Sequence, residues 1–346
     1  MNTEHIDEEM IDSELTLLQK IVIVLLPVVV SVICIGIGRI HIPFSDILDS
    51  IQRHALGNAE LMNTVDMTLW NIRFPRILLA LLVGAGLSAS GCAYQSLFSN
   101  PLATPDTLGV ASGASFGAAL ALLLGMELMG VQFVSLLFGL AAVFLTILAG
   151  KTKEKRGMSS VVLSGIMIGS LFNAFISLVK FTADTESELP EITYWLMGSL
   201  NMAAYDALKL GTPFILAGIL ILYLLRWRLN VLPLSDEEAI SMGIHLKALR
   251  ITTILCATVI TASCVSMCGQ VGWIGLLVPH MCRMKFGINH MALLPSSIFI
   301  GAAFMVMVDT MARSISASEL PISILTAVIG APFFIILMRK TYGWQG

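Results

Sequence analysis

The sequence contains few charged residues. Only 12% of its 346 residues are Asp, Glu, Lys or Arg, whereas ordinary soluble domains carry about 25%. The hydrophobic content is 56% and the mean hydropathy is +0.87, because runs of about 20 apolar residues recur along the chain. This pattern excludes an ordinary soluble domain and predicts an all-α polytopic membrane protein.

The sequence also lacks the short motifs of metal sites and of common enzymes. Its six cysteines lie in or beside apolar runs and none forms C-x-x-C, so we interpret them as small buried residues. No P-loop, G-x-x-x-x-G-K-[ST], is present, so we predict that the chain does not hydrolyse ATP itself. H-E-x-x-H, G-x-S-x-G and paired mid-span carboxylates are missing too. We therefore expect no catalytic residue, no metal site and no cofactor.

Ionisable residues are scarce in the middle of the apolar runs. Asp309 and Arg313 are four residues apart near the end of one run, and they can pair along a helix. A proton-driven or sodium-driven carrier usually needs carboxylates or histidines at the centre of the bilayer. A secondary carrier that works alone is therefore kept only as an alternative. No long basic run suggests a nucleic-acid partner.

The apolar runs predict about ten transmembrane helices in one domain, residues 21–340. The predicted spans are 21–37, 76–98, 108–125, 131–149, 158–181, 208–225, 251–268, a bent or short span within 269–283, 291–312 and 322–338. Residues 1–20 are interpreted as a retained acidic tail, because a signal peptide begins with basic residues. In span 108–125 every fourth residue is small, as at Gly113 and Gly117, which is typical of close helix packing in membranes.

Two shorter elements lie outside these spans. FSDILDSIQRHALG, residues 44–57, predicts a surface helix that begins with Ser45 as its cap. ITYWLMGSL, residues 192–200, is too short to cross a membrane. We expect it at the membrane interface, with Tyr194 and Trp195 as aromatic anchors.

The distribution of positive residues predicts the orientation. With ten spans and a cytoplasmic N-terminus, 13 of the 20 Lys and Arg residues fall inside and 7 outside. The seven outside are Arg39, Arg53, Arg73, Arg76, Lys180, Lys209 and Arg313. Cytoplasmic loops are richer in Lys and Arg, so both termini are expected in the cytoplasm.

A polar island, LSDEEAISMGIHLKALR (Leu234–Arg250), interrupts the apolar pattern. Ser235 and Glu238 fit a capping box, and Asp236 and Glu237 add negative charge at the start of a helix. Gly243 predicts the end of that helix. The island is predicted in the cytoplasm, either as an ordinary capped loop helix or as a docking element for a soluble partner that moves the adjacent spans.

Five stretches, in order along the chain, resemble the FecCD-type (type II) permeases of ABC importers for iron chelates, haem and cobalamin. They are RFPRILLALLVGAGLSASGCAYQSLFSNPLATPDTLGVASGASFGA (73–118), YWLMGSL (194–200), LSDEEAISMGI (234–244), GWIGLLVPHMCR (272–283) and ELPISILTAVIGAPFF (319–334). The resemblance covers nearly the whole chain beyond residue 70.

The resemblance implies ten spans per subunit and a homodimer or close heterodimer in the bacterial cytoplasmic membrane. It also implies two cytoplasmic ATPase subunits and an external substrate-binding protein, with lipid around the spans. The island, residues 235–250, matches the family's coupling helix. The resemblance also implies three sets of functional residues. Coupling to the ATPase is implied for Glu237, Glu238, Ala239 and Gly243, and docking of the binding protein for Arg73, Arg76 and Arg313. The cytoplasmic gate is implied for Met158, Ser159 and Ser160.

The substrate is left open by the sequence. A ferric siderophore is our first choice because it is the commonest substrate of the family that the chain resembles, and haem and cobalamin are the alternatives. His280 lies in the V-P-H match. We favour its interpretation as a packed or capping histidine over that as a haem ligand.

Overall fold

A computed structural model of the chain describes residues 15–56, 63–150, 158–201, 203–316 and 318–342. These residues form fourteen helices and no strand. The helices are α1 (Leu17–Gly36), α2 (Phe44–Ala55), α3 (Thr64–Leu97), α4 (Val110–Leu123), α5 (Leu128–Gly150), α6 (Met158–Thr182), α7 (Glu188–Leu196), α8 (Tyr205–Leu224), α9 (Arg226–Leu229), α10 (Asp236–Ser241), α11 (Leu246–Cys268), α12 (Ile274–Phe286), α13 (His290–Ile315) and α14 (Ile322–Tyr342). Most of the predicted acidic tail, residues 1–14, lies outside the described residues.

Each of the ten predicted spans corresponds to a helix. Within the described part of the chain, seven helices are long and apolar enough to cross a membrane, namely α1, α3, α5, α6, α8, α11 and α13. The other three predicted spans correspond to α4, α12 and α14. Helix α12 has 13 residues and contains Pro279, so the prediction of a short or bent span there is confirmed. The fold class predicted from composition and periodicity is thereby confirmed.

Three helix starts differ from the predicted ones. Helix α1 begins inside the predicted tail, where Thr16 forms a capping box with Gln19. Helix α3 begins well before residue 76, because a π-helical segment, Leu69–Arg73, carries the helix through polar residues. The predicted cap of α2 is wrong. Pro43 occupies the cap position without a side-chain hydrogen bond, and the Ser45 hydroxyl donates to Asp46 instead, at 3.2 Å.

The core forms where α3 packs against α11, α12 and α13. In both α3 and α11, 78% of the apolar stretch is buried. The helices approach closely because small residues meet. A Cβ atom added at Gly117 of α4 would lie 2.6 Å from the Val134 carbonyl oxygen of α5, and one at Gly113 would lie 2.6 Å from the Ala142 Cβ. The predicted packing role of this small-residue row is confirmed at these two positions.

The two aromatic side chains predicted as anchors in α7 are not both exposed. Trp195 is 7% exposed and belongs to a buried cluster with Val265 and Ala118. The half-buried Tyr194 has its hydroxyl 3.4 Å from the Ser199 hydroxyl. The anchor prediction for Trp195 is wrong because α7 folds back onto α4, and burying the indole there removes a large apolar area from the surface.

Candidate functional site

The two ends of the helix bundle carry different polar groups. At one end, the Asn230 side-chain Nδ2 donates to Asn289 Oδ1 at 3.0 Å, which ties the turn before the polar island to the start of α13. Arg313 lies near the other end of α13. The 23 residues between His290 and Arg313 correspond to about 35 Å at 1.5 Å per residue. The polar island and the three predicted docking arginines therefore lie at opposite ends of the bundle.

The three arginines, Arg73, Arg76 and Arg313, form one buried cluster at that other end. They are 4%, 5% and 7% exposed. Arg76 Nε donates to Asp309 Oδ1 at 2.9 Å and Arg76 Nη1 donates to Glu319 Oε2 at 2.9 Å. Each of these acids is far from Arg76 along the chain, so tertiary packing of α3 against α13 creates the cluster.

The other two arginines are held mainly by backbone carbonyl groups. Arg73 donates to the carbonyl oxygens of Ile35 and Ile40, and Arg313 Nη2 donates to the Cys34 carbonyl oxygen at 2.7 Å. These carbonyl groups belong to the end of α1 and the segment that follows it. The arginines thus fasten α1 to the bundle.

The predicted pairing of Asp309 with Arg313 is present but secondary. Arg313 Nε lies 3.7 Å from Asp309 Oδ2, whereas Arg76 Nε lies 2.9 Å from Asp309 Oδ1. Three guanidinium groups and two carboxylates give the cluster a formal net charge of +1. Glu319 is the most exposed of the four ion-paired side chains, at 21%. The docking role of the arginines stays a prediction, and any external acid has to approach a buried cluster whose charges are already largely paired internally.

The polar island forms a short capped helix, as predicted. In α10 the Ser235 hydroxyl accepts from the Glu238 backbone N–H, and the Glu238 carboxylate accepts from the Ser235 N–H. These bonds to Ser235 hold the pKa of Glu238 below its ordinary value. Arg250 Nη2 donates to Asp236 at 2.8 Å, which joins the start of α10 to α11. Gly243 has φ of +73°, a conformation that favours glycine and ends the helix.

Ala239 does not face outward from the island. It is fully buried against this chain, so its side chain anchors the island to the subunit, and its role in coupling to the ATPase stays a prediction. Beside the exposed polar residues of α10, two large apolar side chains face outward, Ile240 and Met242, which are 66% and 58% exposed. A Cβ atom added at Gly243 meets nothing within 4 Å. A side chain at position 243 would therefore be strained by the backbone conformation and not by a steric clash.

The predicted gate lies at the start of α6. Helix α6 begins at Met158, whose side chain is outside the described residues; Ser159 is exposed and Ser160 is half-buried. Only 17% of the apolar stretch of α6 is buried. Its outward side includes Asn173, with Ser170 and Ser177 hydrogen-bonded to carbonyl groups of their own helix. The same side also exposes Ile166 and Phe181, so it combines polar and apolar side chains.

His280 packs beside an aromatic ring, with its centroid 5.4 Å from that of Phe334. Within the described residues, no group of three or more His, Cys, Asp or Glu side chains is arranged to hold a metal ion. All six cysteines are buried and free.

Comparison with known proteins places the chain in a family. The model of the FecCD transport family matches residues 25–340. The chain belongs to the FecCD transport family. The resemblance inferred from the sequence is thereby confirmed, and the chain is an ABC importer permease of the FecCD type in a membrane that it crosses several times.

The names of the chain's relatives state different transported substrates. The molybdate import system permease protein MolB of Haemophilus influenzae is 40% identical, over 91% of this chain and 94% of the relative. The Fe(3+)-citrate import system permease protein YfmE of Bacillus subtilis is 36% identical, over 93% of this chain and 95% of the relative. A solved structure described as a metal-chelate type ABC transporter in an inward-facing conformation is 38% identical, with a TM-score of 0.83, and the match covers 93% of this chain and 98% of that chain.

Sequence reasoning missed the partners of the arginine cluster in this FecCD chain. Asp309 gave a signal, because a carboxylate in an apolar run needs a partner. Nothing in the spacing connected it to Arg76, and Glu319 lies in a polar connection where an acid is ordinary.

Proposed function

We propose that the chain is the permease subunit of an ATP-driven importer that moves an iron chelate, a ferric siderophore in the first place, across the bacterial cytoplasmic membrane. The proposal includes a second permease subunit, two ATPase subunits in the cytoplasm and an external substrate-binding protein. Both chain termini are placed in the cytoplasm. The observation that carries the proposal is the polar island, a rigid capped helix that presents two apolar side chains outward and is fixed to α11.

The island has the mechanical properties that coupling requires. Its capping box and the Arg250–Asp236 bond stiffen the helix start, and the buried Ala239 anchors it to the subunit. A force applied at Ile240 and Met242 would therefore move α10 and α11 together rather than bend a loop. We infer that these two exposed side chains, with Glu237 beside them, contact the ATPase, since buried apolar contacts dominate such interfaces.

The outward side of α6 supports a path between two permease subunits. Its exposed Ser170, Asn173 and Ser177 suit a wet surface, and Ser159 and Ser160 lie at the end where the gate is proposed. A second subunit facing this side would enclose a polar passage that neither subunit forms alone. The arginine cluster, at the opposite end, is proposed as the place where the binding protein docks, with Glu319 as the group that must move.

A specific observation favours a second substrate. The relative MolB, named for molybdate import, is 40% identical over most of both chains. Molybdate transport is therefore the second candidate, and haem and cobalamin follow. The alternative of a secondary carrier is disfavoured by the family match and predicts uptake without ATP.

The proposal is tested with the permease and its partner subunits reconstituted in proteoliposomes. Ile240→Glu should abolish ATP-dependent uptake and lower permease-stimulated ATP hydrolysis, because it places an acid at the centre of the apolar contact. Glu237→Gln should lower uptake far less than Ile240→Glu, because an exposed charge at a helix start contributes only about 0.3–1 kcal/mol. Normal uptake by the Ile240→Glu variant, or uptake by the wild type without ATP, would contradict the proposal.

Substrate and orientation need separate measurements. Uptake of a radiolabelled ferric siderophore and of labelled molybdate in the same vesicles distinguishes the two candidates, and saturable uptake of molybdate alone would remove the siderophore. For orientation, Glu186→Cys should react with an impermeant reagent from outside the cell and Glu237→Cys only from the cytoplasm. The reverse pattern would refute the placement of the termini.

A further inference from the structure

A groove separate from both sites lies at the polar-island end of the bundle. It has a volume of about 310 Å³ and is formed by α1, the end of α8 and the beginning of α13. Two cations line it, Lys20 and Arg226, and the described residues that form it include no acid. The other side chains along it are apolar or aromatic.

The two cations are available to an anion. Arg226 is held in place, because its Nη1 donates to the Tyr223 carbonyl oxygen at 2.8 Å and its guanidinium carbon lies 4.1 Å from the centre of the Tyr223 ring. Lys20 is exposed, and neither cation forms an ion pair with a described residue. Two like charges that line one groove, with no acid among the described residues that form it, produce a positive potential that attracts an anion.

The groove becomes apolar with depth. Ile23 and Val24 lie about one turn beyond Lys20 on α1, and Phe299 lies eight residues beyond Met291 on α13, which corresponds to about 12 Å along the helix. Only 22% of the apolar stretch of α1 is buried, so the groove opens onto the outer, lipid-facing side of the bundle. A molecule with an anionic head and a hydrocarbon tail matches this order of charges and apolar walls.

Pro295 adds a polar feature to one wall. It lies inside α13, and proline has no N–H to donate to the carbonyl group four residues before it. The Met291 carbonyl oxygen therefore lacks its usual helical donor, and both residues line the groove. A hydroxyl group on the occupant could supply that hydrogen bond.

We propose that this groove is a binding site for one anionic phospholipid of the phosphatidylglycerol class. The phosphate lies between Lys20 and Arg226, a glycerol hydroxyl lies near Met291, and an acyl chain runs along Ile23 and Phe299. Basic pockets between helices at a cytoplasmic membrane face suit anionic headgroups. A zwitterionic lipid is disfavoured because its own ammonium group would meet the two cations. The inference is independent of which substrate the permease carries.

Native mass spectrometry of the full-length permease in complex with its partners tests the proposal, with phosphatidylglycerol and phosphatidylcholine titrated into the detergent micelles. The wild type should retain one phosphatidylglycerol in preference to phosphatidylcholine. Lys20→Gln and Arg226→Gln should each weaken retention about fivefold, the effect expected for one basic residue near an anionic headgroup. Arg226→Lys should keep most of the binding, because it keeps the positive charge. This result would show that the loss in Arg226→Gln comes from the lost charge and not from misfolding.

Arg228→Gln is the matched control. Arg228 is a nearby cation outside the groove, with its guanidinium carbon 5.2 Å from the centre of the Trp227 ring. The Arg228→Gln variant should therefore retain phosphatidylglycerol as the wild type does. Equal retention of phosphatidylglycerol by all variants, or equal retention of both lipids by the wild type, would overturn the proposal. So would displacement of the bound lipid by inorganic phosphate alone. Binding that appears only after residues 1–14 are removed would assign the groove to the acidic tail instead.

Discussion

The buried arginine cluster predicts a large effect for a single small substitution. Asp309 and Arg76 have side chains that are 2% and 6% exposed, and Arg76 Nε lies 2.9 Å from Oδ1 and 3.1 Å from Oδ2 of Asp309. Asp309→Asn preserves the size of the side chain and removes one negative charge. The formal charge of the cluster then rises from +1 to +2, with two guanidinium groups left facing an uncharged amide.

The magnitude follows from burial. Breaking a buried ion pair by removing one partner costs about 3–5 kcal/mol. The low end of this range applies here, because Arg76 still pairs with Glu319. We therefore expect Asp309→Asn to lower the free energy of unfolding by about 3 kcal/mol. Glu319→Gln should cost less, because the Glu319 side chain is 21% exposed and water can replace part of the interaction.

The assay is equilibrium unfolding of the purified permease in mixed micelles. Asp206→Asn is the matched control, because Asp206 pairs with Lys209 at the surface, where the two side chains are 77% and 69% exposed. Such a surface pair contributes about 0–1 kcal/mol. A double variant, Arg76→Met with Asp309→Leu, should recover much of the loss, because it removes both buried charges together. The reasoning is refuted if Asp309→Asn and Asp206→Asn destabilise the protein equally.

Two further predictions concern packing and pH. Gly117→Ala should destabilise the protein by about 1–3 kcal/mol, because its Cβ would overpack against the Val134 carbonyl group. Gly272→Ala is the control and should be nearly neutral in the same unfolding assay, because an added Cβ meets nothing within 4 Å there. Equal effects of the two variants would contradict the packing argument. Burial raises the pKa of Asp106, which lies in the connection between α3 and α4, to about 6, so the stability that this group contributes is present below about pH 4 and is lost as the pH rises through 6. The stability of Asp106→Asn relative to the wild type should therefore rise between about pH 4 and pH 6, by up to about 3 kcal/mol for a pKa raised from about 4 to about 6, and stay constant at higher pH. A difference that does not change with pH over this range would contradict it.

Local interactions were predictable from the sequence. The ten apolar runs became helices because a backbone in hydrocarbon must satisfy its own hydrogen bonds. The capping box of α10 and the end of that helix at Gly243 were also predictable, because each depends on residues within a few positions of one another. Small residues at every fourth position of α4 predicted close packing, because they share one side of a helix.

Only the tertiary structure decided which side chains became buried and with which partners. Arg76 is joined to Asp309 and Glu319, which are 233 and 243 residues away in sequence, and no local pattern encodes such a pairing. Ala239 and Ile240 are neighbours in one short helix, yet the first is fully buried and the second is 66% exposed. The sequence by itself determined that a capped helix interrupts the spans. Its orientation depends on how α10 packs against the rest of the chain, and that packing settles which of its side chains are free to meet a partner.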